Sequence, residues 1–407
     1  MITIEQALDL VLANLPARRA ERVPFERALG CVLAEDVAAP HDFPPFDRSA
    51  MDGYALRAED VRAAPVRLEL VGEIRAGGGP PGRVLPGQAK AIMTGAPMPE
   101  GADAVVTLEQ ARPSPDRRQV LIAQAVGRGE NVRPKGSDAL RGATVLEAGR
   151  YVGPAEIAVM AVFGRAEAAV WRRPRVAVLC TGDELVEAAQ EPAAGQIRNS
   201  NAFALRAQLR CLGIEGDYLG IARDDKGEIR TFLQEGLQRD VVIVTGGVSV
   251  GEYDLVEDAL RDMGLEIVFN KVAVRPGKPT VFARGGDRLV FALPGNPVSS
   301  FVTFELLVRP ALGRMCGLHA PELPRVRGAL ARDVRQAPGR TSFLPARASR
   351  RGAGWRIEPL EWRGSGDIIG FARGNAALIF PRELDFLPAG GEVEAVLFPA
   401  QRERGRT

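Results

Sequence analysis

The sequence predicts a multidomain α/β plus β protein, and three observations carry the prediction. At 407 residues the chain exceeds the roughly 100–200 residues that one domain usually holds, which calls for two to four domains. Between about residues 172 and 317, continuous Val/Ile/Leu runs alternate with helical segments, the mark of strands buried on both faces of a mainly parallel sheet. Over 41–134 and 318–407, short alternating runs broken by Gly and Pro mark two β-rich units.

The elements follow in order. Residues 3–15 set Ile4, Ala7, Leu8, Val11, Leu12 and Leu15 at helical spacing, with Thr3 and Gln6 as a capping box. The runs VRLELVGEI, DAVVTLE and QVLIAQAV, separated by GGGPPG, LPGQ and PMPEG, predict an inserted β-rich domain over 41–134. GATVLEAG and the amphipathic PAEIAVMAVFG come next. Pairing this second helix with the first gives a discontinuous linker domain, 1–40 and 135–171. The α/β/α domain, 172–317, opens with RVAVLC and continues through a helix from about Asn201, IEGDYLGIA, a helix over 227–237, DVVIVT, a helix over 254–263, EIVFNKVAV, PTVFAR, RLVFAL and one long helix over 297–314. Beyond GLHAPELP, the runs WRIEPLEW, AALIFP and EVEAVLF predict a small C-terminal β-barrel over 318–407.

Composition narrows the function. With 53 Lys+Arg against 51 Asp+Glu, net charge offers no global attraction for nucleic acid, a membrane surface or an acidic partner, so anion binding must be local. No window approaches the ~18 consecutive apolar residues of a membrane span. The N-terminus lacks the basic leader and cleavage site of a signal peptide. Four scattered cysteines without a CxxC read as buried, reduced thiols, which points to the cytoplasm. With only His41 and His319, neither a His-rich zinc site nor a Ser-His-Asp hydrolase is supported, and chemistry falls to carboxylates, hydroxyls, Lys and Arg. Lys is scarce, five residues in all.

In an open α/β sheet, ligands bind beyond the carboxyl ends of the strands. Three polar loops are expected there: Thr181-Gly182-Asp183-Glu184, the ten residues from Thr245 to Asp254 (TGGVSVGEYD), and Pro294-Gly295-Asn296-Pro297. Gly246 and Gly247 let backbone N–H groups approach an anion, Ser249 adds a hydroxyl and a helix start follows, so a phosphate is the natural guest. GxGxxG and GxxxxGK[ST] are both missing, against dinucleotide and P-loop readings. Asp183, Glu184 and Asp254 share the edge and suit Mg²⁺ held with substrate oxygens, the alternative for Asp183 and Glu184 being helix capping. Asp224 and Asp225 divide evenly between capping the 227–237 helix and function. Alternation puts Lys271, Ala273 and Arg275 on one strand face with Lys278 just beyond, an anion site or simply solvent-facing cations. In the inserted domain, PFDRSAMDGY (45–54), MTGAP (93–97) and NVRPKGSD (131–138) are polar turns that singly would pass as turn chemistry.

Together, PFDRSAMDGYA, IMTGAPMP, GENVRPKGSD, TGDEL, GQIRNSNAFAL, TGGVSVGEYD, KVAVRPGKP and LPGNPVSS resemble the bacterial MoeA family of molybdopterin molybdenumtransferases, whose relatives include the E domain of gephyrin. The resemblance implies a four-domain homodimer whose α/β domain binds molybdopterin, with each site shared with the inserted domain of the other subunit. It implies a reaction in which Mg²⁺ and molybdate serve to cleave adenylylated molybdopterin, insert molybdenum and release AMP. By position it gives catalytic roles to Asp52, Glu184, Asp254, Lys271 and Arg275, with Glu184 and Asp254 holding the metal. Thr94, Arg133, Asp138, Thr181, Gly182, Asp183, Asp224, Gly246, Gly247, Ser249, Lys278, Pro294, Asn296 and Ser365 would bind the substrates. Arg275 departs from the family's frequent Lys, and the RGSGDIIGFARGN segment around Ser365 matches only loosely. Other molybdopterin biosynthesis proteins are the implied partners. Three alternatives are a molybdopterin adenylyltransferase, a non-catalytic molybdopterin-binding scaffold, and a pyrophosphatase or amidase built on the same α/β domain.

Overall fold

The computed structural model describes residues 1–247, 254–352 and 354–398, arranged as two compact units. One comprises Pro24–Arg27 and Glu35–Ala168; the other comprises Met1–Val23, Ala28–Ala34 and the chain from Ala169 onward.

The first unit is built on a six-stranded sheet in the order Ala104–Thr107, Gly53–Leu56, Gln88–Ile92, Val66–Ile74, Gln119–Ile122, Ala111–Pro113. Only the Val66–Ile74 and Gln88–Ile92 pair is parallel. Period-2 alternation divides its core: Tyr54, Leu56 and Val106 pack on one face, Ala55, Val105 and Ile92 on the other. Two short ribbons follow, Val132–Arg133 against Arg48–Ser49 and Thr144–Leu146 against Val37–Ala38. A helix, Pro154–Val162, completes the unit, with Pro at its start and the Glu156 carboxylate accepting from the Gly153 N–H at 2.9 Å.

In the second unit the strands β1 (Val176–Thr181), β2 (Gly216–Ala222), β3 (Val241–Thr245), β4 (Glu266–Phe269), β5 (Val281–Gly285) and β6 (Arg288–Leu293) form a sheet in the order β2-β1-β3-β6-β5-β4. The first four in that order run parallel, and β5 and β4 add an antiparallel edge. Every residue of β1 and β3 is buried. Val178 and Ile243 pack with Leu205 and Leu209 of the helix Asn201–Arg210, while Leu179 and Val244 pack on the opposite face with Ile229 and Leu233 of Lys226–Gly236 and Leu260 of Leu255–Asp262. The predicted α/β/α layering is thus what these uninterrupted apolar runs make.

Three expectations need correction. The N-terminal helix, Ile4–Ala13, has its capping box but belongs to the other unit from Pro154–Val162. Its buried residues Ile4, Ala7 and Val11 join Val308, Ala311 and Leu312 in the core of the α/β unit, where a longer apolar surface meets its stripe. The single helix over 297–314 is instead Pro297–Thr303, a π-turn Phe304–Val308 and Arg309–Met315. Pro310 has no N–H to give the preceding turn, and such a lesion favours a π-bulge. The run EIVFNKVAV is not one strand: β4 stops at Phe269, Ala273 donates its N–H to the Ile2 carbonyl, and only Val274–Arg275 returns to strand geometry. Ala273 is buried while Lys271 is exposed, so the two do not share a face with Arg275. Among the cysteines, Cys31, Cys180 and Cys316 are buried outside any disulfide and Cys211 is exposed.

The C-terminal strands β7 (Arg325–Leu330), β8 (Thr341–Arg351), β9 (Gly354–Pro359), β10 (Ala376–Phe380) and β11 (Glu392–Leu397) close into a five-stranded barrel, each paired with two neighbours in the ring β7-β9-β8-β10-β11. Leu330, Leu344, Ala346, Ile357, Leu378 and Ala395 fill it. Val274–Arg275 adds to β8 in parallel, tying the α/β domain to the barrel. Among the described residues, no helix is long and apolar enough to cross a membrane.

Candidate active site

The parallel register sets the carboxyl ends of β1, β3 and β6 side by side, with Cys180 opposite Thr245 and Thr245 opposite Leu293. The three predicted loops therefore leave one edge of the sheet. They are fastened to one another. The Gly246 N–H donates to the Leu293 carbonyl at 3.2 Å, and the Thr245 hydroxyl to the Pro294 carbonyl at 3.1 Å. Asn201 donates to both the Thr245 hydroxyl (2.9 Å) and the Gly295 carbonyl (2.7 Å). Gly182 donates to the Ala222 carbonyl, and the Asp224 N–H to the Asp183 carboxylate at 3.2 Å. Asp225, not Asp224, caps the following helix, accepting from the Glu228 N–H at 2.8 Å.

Glycine is required here for two reasons. Gly246 and Gly247 have φ of 94° and 64°, and a Cβ on Gly246 would fall on the Thr181 carbonyl. A Cβ on either would also stand 2.8–2.9 Å from the Thr181 hydroxyl, which is buried and has no hydrogen-bond partner among the described residues. A buried, unmatched hydroxyl beside a glycine turn is uncommon in a folded core and leaves a polar group for a ligand. Ser249 and the rest of 248–253 lie outside the described residues.

Asp254 caps the helix Leu255–Asp262, accepting from the Glu257 N–H at 3.1 Å. Burial pushes its carboxyl up to about 6; the Glu257 N–H opposes this, the charges of Glu257 and Asp258 add to it, and nearby Lys271 opposes it again. Asp254 and Lys271 are thus within electrostatic reach of each other. Arg275 turns toward the barrel, where its guanidinium donates to the Gln336 side chain at 3.3 Å and the Ala337 carbonyl at 3.4 Å. Arg340, which the sequence motifs did not single out, lies close enough that burial and the Arg275 charge both hold its pKa down. Two guanidinium charges within electrostatic reach of each other favour an anion. Its only advance signal was an Arg in a Gly-containing turn, APGRT. Lys278 is partly buried, and Asn296 precedes the helix Pro297–Thr303 without a side-chain cap bond. The Ser365 carbonyl accepts from the Val298 N–H at 3.0 Å, which brings the loosely matching segment beside that loop.

The other predicted residues lie in the first unit. Asp52 accepts from the Thr94 N–H at 2.6 Å and the Thr94 hydroxyl at 2.8 Å, and these bonds lower its pKa. Arg133 donates to Asp138 at 2.8 Å, and Arg48 stands 3.9 Å from the same carboxylate. That hydrogen bond and the two guanidinium charges outweigh burial and lower the Asp138 pKa.

The donor set at the sheet edge is sparse. No cluster of three or more metal-ligating side chains occurs among the described residues. The Glu184 carboxylate folds back over Gly182, and Asp254 spends one oxygen on its cap. One or two carboxylates fit Mg²⁺ held jointly with substrate phosphate, and do not make an all-protein cage.

Comparison with known proteins agrees with this layout. Residues 2–164 match the family model for the MoeA N-terminal region (domain I and II), 177–314 the one described as "Probable molybdopterin binding domain", and 327–398 the MoeA C-terminal region (domain IV). A molybdopterin molybdenumtransferase of Staphylococcus aureus is 34% identical over 97% of this chain and 95% of its own length, and one of Staphylococcus epidermidis is 33% identical over the same shares. The crystal structure of a molybdopterin biosynthesis MoeA protein from Pyrococcus horikoshii superposes with a TM-score of 0.84 at 34% identity, covering 98% of this chain and all of that one. With the three domain matches in order and near-complete coverage at that identity, the chain belongs to the MoeA family of molybdopterin molybdenumtransferases, enzymes of molybdenum cofactor biosynthesis.

Proposed function

We propose that the chain inserts molybdenum from molybdate into adenylylated molybdopterin and releases AMP. The observation that carries this reading is a glycine turn with an unmatched Thr181 hydroxyl at the sheet edge, together with Lys271 within electrostatic reach of Asp254 there. A phosphoanhydride substrate needs the first and a tetrahedral dianion the second.

In this reading Thr181, Gly182, Gly246, Gly247 and Ser249 cradle the pterin phosphate, with Pro294 and Asn296 shaping the far wall. Asp183 and Asp224 order the adjoining loop. Glu184 and Asp254 would hold Mg²⁺ with substrate oxygens, where it supplies charge neutralisation for the leaving phosphate. Lys271, Arg275 and Lys278 orient the oxyanion, and Ser365 lines the barrel side. Asp52, Thr94, Arg133 and Asp138 approach from the inserted domain of a second copy in a homodimer. Lys scarcity supports the oxyanion role, since Lys271 and Lys278 are two of the chain's five Lys and a compact ammonium acts as a point charge.

The test is AMP release from adenylylated molybdopterin with molybdate and Mg²⁺ added together or singly. AMP release with both, reduced at least 100-fold in Asp254→Ala and Lys271→Ala, is expected. Release without molybdate, or wild-type rates in both variants, would sink the reading.

A further inference from the structure

A large cavity lies away from the sheet edge. It lies in the C-terminal domain, has a volume of about 790 Å³, and is lined by Arg335, Gln336, Trp362, Arg363, Ile369 and Arg373 among others. That is within the 300–1,000 Å³ range of small-molecule sites.

Its charges are unusual. The guanidiniums of Arg335, Arg363 and Arg373 have no carboxylate within 4 Å among the described residues, although Arg335 lies over the Phe386 ring at 4.3 Å. Two of the acids on the wall are already engaged by backbone: Asp367 accepts from Arg363 N–H (2.9 Å) and Gly370 N–H (2.8 Å), and Asp333 from Ala389 N–H (2.7 Å). Arg332 is engaged too, donating twice to the Pro359 carbonyl. The wall as a whole carries four guanidiniums against three carboxylates, Asp333, Glu361 and Asp367; Arg363 and Arg373 act on the Asp367 charge from beyond 4 Å, and an indole and the exposed Ile369 side chain complete the surface. The domain around it, 318–407, carries 15 Arg and no Lys against 10 acids, a local excess in a nearly neutral chain.

Guanidiniums bind phosphate in a fork and stack on flat rings, and Trp and Ile offer apolar area to a base. We infer that this cavity binds a purine nucleoside monophosphate, its phosphate on Arg363 and Arg373 and its base against Trp362. The wall also connects to the proposed active site: Gln336 receives the Arg275 guanidinium, and Asp367 follows Ser365 by two residues. Resting on the proposed release of AMP, the cavity would hold the departing product outside the reaction centre.

Calorimetric titration of the full chain with AMP, adenosine and inorganic phosphate tests this. AMP is expected to bind at least tenfold more tightly than either part, and Arg363→Ala, Arg373→Ala and Trp362→Ala each to weaken it about tenfold. Both arginines are exposed, so their variants should fold, and unchanged melting in each would confirm it. Arg373→Lys should restore little, because it keeps the charge and loses the fork. Affinity unchanged in both Arg variants overturns the site. Phosphate or adenosine binding as tightly as AMP overturns the nucleotide assignment. AMP binding lost in the variants while molybdate-dependent turnover is never detected would sink the proposed reaction and leave this site standing.

Discussion

Asp254 shows how a site residue sets folding against function. Its carboxyl sits at about 6 in the folded protein, with burial as the main cause, while the ordinary value is 3.8. The folded state therefore holds this proton more tightly than the unfolded chain does. Stability from this group is greatest below pH 4, falls as the pH rises from about 4 through 6, and the cost persists above that. Asparagine keeps the helix cap without the charge. Asp254→Asn, measured without Mg²⁺ or substrate, should melt higher than wild type at pH 7.5 by the equivalent of about 1–2 kcal/mol, a figure reduced for the carboxyl's partial exposure. The gain should shrink to nothing near pH 4, while activity at pH 7.5 falls. An equal gain at both pH values would mean that the carboxylate charge is not what strains the native state. Sequence alone could rank Asp254 as a candidate but not show this tension, because the burial arises only in the fold.

At the level of elements, the sheet has a proposed functional edge and a structural one. Opposite the glycine loops, Asp240 precedes β3 and is nearly inaccessible; burial would raise its pKa, but the Arg175 N–H at 2.7 Å and the Arg172 guanidinium at 2.9 Å more than offset that, with Arg288 also at 3.2 Å. Removing it leaves the Arg175 N–H without its acceptor and deprives the partly exposed guanidiniums of Arg172 and Arg288 of their carboxylate. Asp240→Ala should cost roughly 2–4 kcal/mol in denaturant unfolding while kcat per folded molecule holds. A loss of activity that exceeds the unfolded fraction would contradict this separation of edges. Local patterns were legible where the chain's own period decided the outcome: VVIVT could only be a buried strand, and the Thr3/Gln6 capping box forms as read. They failed where a partner decided it. Nothing in EIVFNKVAV announces that Ile2 takes the Ala273 N–H, nor in MITIEQALDLVLANL that its apolar stripe finds Val308 and Leu312.

At the scale of the whole molecule, the predicted site residues fall into two sets in two units, Asp52, Thr94, Arg133 and Asp138 in one and the sheet-edge residues in the other. Motifs close in sequence identified both sets, whereas Arg340 escaped notice because its value depends on Arg275, 65 positions earlier, whose charge it meets only in the fold. If each active site draws one set from each of two copies, complementation must follow. Asp52→Ala disables the first set and Asp254→Ala the second, so either homodimer has two defective sites. Refolding or co-expressing the variants in equal amounts makes about half the dimers mixed, and in each mixed dimer one site combines both lesions and the other is intact, restoring about a quarter of wild-type sites. AMP release at about that level, absent from either variant alone, is expected. If both sets served one site within a single chain, every site in the mixture would carry a lesion and activity would stay at the parental level. The wild-type protein sized in solution must be dimeric at the concentration of the assay, because a monomeric species with undiminished activity would rule out sharing by itself.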